Sequence, residues 1–99
     1  MLDFYLLKDE QRKPSYPEEA GLEFVGELDD LTFGNLQSKK IIDERFEYYS
    51  DFRLDTSDLR QIRMKIIEKQ LQYDSDVKVL TQLLDIADSE QSGLIAFGD

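Results

Sequence analysis

Between Leu54 and Ser92, two sets of apolar residues recur at helical spacing, and only Gln72 to Ser75 separates them. That short gap is the tightest constraint in the chain, because two helices joined so closely must fold back as an antiparallel hairpin. In the first, Leu59, Ile62, Ile66 and Ile67 share a face, while Arg60, Arg63, Lys65 and Lys69 lie largely off it. Asp55 stands at its N-cap with Asp58 three residues on, and Leu54 and Leu59 occupy the positions of a hydrophobic staple. In the second, Asp74 or Ser75 is the cap and Val77, Leu80, Leu83, Leu84 and Ala87 form the face. Gly93 is placed to act as its C′ residue. The spacing predicts helices over about 57–71 and 76–91.

Such a hairpin leaves an apolar stripe that needs a partner layer. Leu2 to Lys8 is a short aromatic-rich run, expected as a central strand buried on both faces, and Leu94 to Phe97 is a second run that can pair beside it. Asp9 to Gly21, with Pro14, Pro17 and Gly21, has loop chemistry. Leu22 to Leu28 alternates only in part, as an edge strand or a loop would. Asp29 or Asp30 caps a short helix over Leu31 to Lys39 with Phe33 and Leu36 inward. Ile41 to Phe52 fits a helical face and a strand equally well. The fold expected is α+β, a small antiparallel sheet covered on one face by the helical hairpin, with both terminal runs as strands. A length of 99 residues suits one domain.

Composition narrows the chemistry. Cys and His are both absent, which removes disulfides, thiolate zinc sites and the Ser-His-Asp and Cys-His catalytic sets. The apolar runs are far shorter than a membrane span, and a cytoplasmic location is the default expectation. With 22 Asp and Glu against 12 Lys and Arg, the net charge is −10, which opposes contact with nucleic acid or anionic lipid. Acid is concentrated: residues 14–30 hold six acidic residues and no basic one, and residues 74–99 hold six against one. Residues 53–73 are mildly basic.

The segment Asp88-Ser89-Glu90-Gln91-Ser92-Gly93-Leu94-Ile95-Ala96-Phe97-Gly98-Asp99 resembles the twelve-residue calcium loop of the EF-hand family. Asp88, Glu90, Ser92 and Asp99 fall at loop positions one, three, five and twelve, and Gly93 at the sharp turn. The resemblance implies a small calcium-binding or regulatory module. It departs from the family in Glu at position three, Asp at position twelve and the missing exit helix. A helix end at Gly93 followed by a strand accounts for the same residues and is favoured, so no metal or cofactor is expected.

Carboxylate pairs such as Asp29-Asp30, Asp43-Glu44 and Asp85-Asp88 are what a chain this acidic produces by chance, and no enzymatic activity is expected. What remains is protein binding. Small size, excess acid and no catalytic set make the chain similar in size and charge to immunity proteins and antitoxins that neutralise a cationic toxin. The expected partner is a protein with a basic surface, met by Glu18, Glu19, Glu27, Asp29 and Asp30 and by the aromatic cluster Tyr48, Tyr49 and Phe52. That cluster is equally the signature of a half-buried segment packed on the sheet. Monomer and homodimer both remain open.

Overall fold

The computed structural model describes residues 1–98. The elements run β1 (Leu2–Leu7), α1 (Pro17–Ala20), β2 (Phe24–Leu28), α2 (Asp30–Ser38), β3 (Phe52–Leu54), α3 (Thr56–Glu68), α4 (Ser75–Ser89) and β4 (Gly93–Phe97). The four strands form one antiparallel sheet in the order β2-β1-β4-β3. The first and last strands are therefore its centre, and the fold is the expected α+β arrangement. Leu2, Phe4, Leu28, Phe52, Leu54, Leu94 and Ala96 meet Leu59, Ile62 and Ile66 of α3 and all five predicted residues of α4 in one buried cluster. The shorter α2 joins this layer through Phe33 and Leu36, so the hairpin shares its face of the sheet with a third helix.

Capping follows the aspartates. Asp55 accepts from the Asp58 amide while the Asp58 carboxylate accepts from the Asp55 amide, closing a reciprocal box at the start of α3. Asp29 caps α2 through the Thr32 amide, and Asp74 caps α4 through the amides of Asp76 and Val77. The three helices end alike. Lys40, Gln70 and Gln91 have positive φ, and each following amide reaches back to the carbonyl of Leu36, Ile66 or Ala87. This is the Schellman closure, made three times without glycine.

Several expectations need correction. The helix before Gly93 stops at Ser89 with Gln91 as its left-handed residue, so Gly93 is not the C′ position. Gly93 opens β4 instead, where a Cβ would lie 2.6 Å from the Leu54 carbonyl oxygen and 3.2 Å from that of Leu7. Its bareness lets three strands close at one level. Ile67 is 62% exposed and does not share the buried face of Leu59, Ile62 and Ile66, and α3 ends at Glu68 rather than about Leu71. Ile41 to Asp51 is neither helix nor strand but a chain of turns, with Ile41 and Ile42 fully inward. Strand β1 is enclosed on both faces only at its Leu7 end; Asp3 and Tyr5 are half-exposed.

Candidate docking face

Alternation in β1 puts Leu2, Phe4 and Leu6 toward the helices and Asp3, Tyr5 and Leu7 on the other face. Register then fixes their neighbours. Asp3 stands between Glu27 of β2 and Phe97 of β4, and Tyr5 between Phe24 and Ile95, with Arg53 beyond Ile95. Phe24 and Glu27 lie three residues apart, yet both point to this face, because a register shift between Phe4 and Tyr5 leaves Val25 as an extra residue in β2.

One end of this face is covered. Arg53 donates to the carbonyls of Lys8, Asp9 and Gln11, Thr56 donates to the Asp9 carboxylate through both amide and hydroxyl, and Pro14 is buried. The loop after β1 is thereby drawn across the sheet where Leu7 and Ile95 are fully buried. The other end stays open and carries an aromatic row. The Tyr5 ring meets Phe24 at 5.5 Å and Phe97 at 5.8 Å, both edge to face, and Phe24 is 51% exposed.

Acidic side chains gather at this open end. Asp3 and Glu27 are direct cross-strand neighbours, and among the described residues no Lys or Arg side chain forms a salt bridge with either. Burial, then the charges of Asp3 and Glu18, hold the Tyr5 phenol above its ordinary range, which also places Glu18 of α1 within electrostatic reach of the row. Elsewhere acids are engaged: Asp74 and Asp76 hold Lys39, and Asp85 and Asp88 hold Arg63 at 2.7 Å each.

The expected contact residues therefore separate into groups. Glu18 and Glu27 join the open face, and exposed Asp29 and Asp30 follow directly where β2 ends. Glu19 is exposed on α1. Tyr48 and Tyr49 lie on the β3 side, across the strand order from β2, with Tyr48 against Phe33 at 5.8 Å and Tyr49 69% exposed. Phe52 is corrected outright: at 7% exposure it is core, packed on Phe4, Phe33 and Phe46. The residues that sequence reasoning missed are Asp3, Tyr5, Phe24 and Phe97. The polar-apolar alternation Leu2-Asp3-Phe4-Tyr5 was the signal for the first two; the bulge hid Phe24.

The calcium-loop resemblance is not carried into the geometry. Residues 93–97 are extended and form a buried inner strand where the loop would turn, Asp88 is paired with Arg63, and the Ser92 hydroxyl donates to the Gly93 carbonyl. Among the described residues no group of three or more acidic side chains is placed to hold a metal ion; Asp99 lies outside them. In the carboxylate pairs, Asp29 caps α2, Asp43 accepts from the Arg45 amide, and Asp85 and Asp88 both pair with Arg63. Among the described residues no helix is long and apolar enough to cross a membrane. No protein-family model matches the chain, and comparison with curated proteins and with solved structures found no match.

Proposed function

We propose that this is a non-enzymatic cytoplasmic interaction domain that binds and masks a basic protein surface, in the manner of an immunity protein or antitoxin. The observation that carries it is the Asp3–Glu27 pair. Two acidic residues opposite one another on neighbouring strands, with no Lys or Arg of this chain bridged to them and an exposed aromatic row beside them, give a partner's Lys or Arg a place to pair. Aromatic faces add to the same recognition, since a cation over a ring gains about 0.5–2 kcal/mol depending on desolvation. Glu18, Glu19, Asp29 and Asp30 extend the field around it and speed encounter at low salt.

The test is capture of partners from the native host with the wild-type chain and with a variant reversed to Lys at Glu18, Glu19, Glu27 and Asp30, leaving the Asp29 cap of α2 in place. The expected result is a basic protein retained by the wild type at low salt, released as salt rises, and lost with the reversed variant. Retention that ignores both salt and reversal refutes the proposal.

A further inference from the structure

The open aromatic end of the sheet continues into an edge. Strand β2 is outermost, with β1 on one side only, and among the described residues no backbone or side-chain group hydrogen-bonds to Phe24–Leu28 from the other side. A row of unmatched amides and carbonyls is a template for another strand. The opposite edge, β3, is only three residues long.

What can occupy that edge follows from charge. Glu23 precedes it, Glu27 lies within it, and exposed Asp29 and Asp30 continue the run. Pairing of β2 with a second copy of itself brings these acids together across the new ladder, and like charges directly opposite are destabilising. The edge is thus closed to its own kind by the same residues that admit a cationic strand, a repulsion that serves specificity. The extra residue at Val25 shortens the regular stretch, so only a short segment fits.

We propose that β2 receives an extended Lys- or Arg-bearing segment of the partner as a fifth strand, whose alternate side chains cross onto the open face beside Glu27 and Phe24. Strand addition gives affinity through the main chain and specificity through every second side chain. It presupposes the masking role proposed above and adds the geometry of capture.

The experiment uses a ten-residue peptide of alternating lysine and threonine with the full chain, read by backbone amide shifts and hydrogen exchange. Its controls are the same peptide N-methylated at every threonine and one with glutamate for lysine. The expected result is slowed exchange at Gly26, Glu27 and Leu28 with the lysine peptide, weakened at least tenfold by N-methylation, and no binding of the glutamate peptide. Glu27→Lys, at an exposed position, is expected to weaken the lysine peptide by about tenfold. Equal binding of the methylated peptide, or binding without change at β2, overturns strand addition while leaving the masking role intact. No binding at millimolar lysine peptide also overturns it. Protection at β2 that grows with protein concentration alone overturns it in favour of self-pairing. The masking role stands or falls separately, on the charge-reversed capture.

Discussion

At the scale of single residues, the helix ends expose strain that sequence alone conceals. Lys40, Gln70 and Gln91 each hold a left-handed conformation that costs an L residue about 1–2 kcal/mol and glycine almost nothing. Gln70 is exposed, so Gln70→Gly is expected to raise stability by up to about 1 kcal/mol in urea denaturation, glycine's greater freedom when unfolded offsetting the rest. An unchanged or lower midpoint counts against strain there. Gly93 gives the opposite expectation. A methyl group at Gly93→Ala meets backbone oxygens of two neighbouring strands, which cannot rotate away, and a loss of about 1–3 kcal/mol is expected in the same measurement. Gly26 needs glycine for another reason as well: its φ is 158°, and a Cβ there would meet the Leu83 side chain at 2.6 Å. The glycine at 93 was visible in the sequence, but two different requirements call for glycine, a left-handed cap and a close backbone approach. Only three-dimensional closure tells them apart.

At the scale of elements, α2 and α4 are clamped where α4 begins. Lys39 reaches Asp74 at 2.6 Å and Asp76 at 3.0 Å, and Asn35 donates to Asp76. The hydrogen bond from Lys39 and then the Val77 amide hold the Asp74 carboxyl below its ordinary range, and the Asp74 and Asp76 contacts raise Lys39. As pH falls, the unfolded chain takes up the proton first, so the Asp74 contribution is whole above about pH 5 and is lost as pH drops below about 4. Asp9 and Asp29, lowered by their bonds to Thr56 and Thr32, follow the same sign. Asp74→Ala is expected to cost about 1–2 kcal/mol at pH 7 through the lost cap. Asp74→Asn keeps the cap and is expected to flatten the acid limb of the stability curve relative to wild type. Urea titrations between pH 3 and 7 check both. The helices with an aspartate cap and a clean apolar face, α3 and α4, were legible because local chemistry and burial agree there. Ile41 to Asp51 was not, because its inward residues answer to α2, β3 and α3 rather than to any period of their own. The candidate face was half legible: its acids show in composition, but its aromatics come from three strands joined only by register.

For the whole molecule, excess negative charge acts in two directions at once. Self-repulsion destabilises the compact state, and salt screens it over about 8 Å at physiological strength. Raising sodium chloride is therefore expected to increase the melting temperature of the free chain while weakening its grip on a basic partner, in calorimetric scans and binding titrations run side by side. Parallel trends refute the shared origin. The centre of the sheet has a further consequence, for synthesis. Asp3 pairs with Phe97, and Leu7 with Gly93, so the two inner strands come from segments more than 80 residues apart in the chain. A ribosome must finish nearly all of this sequence before β1 meets its inner neighbour, and contacts so distant slow folding. Until then the nascent chain carries an aromatic strand, β1, whose β4-facing edge has no strand to pair with.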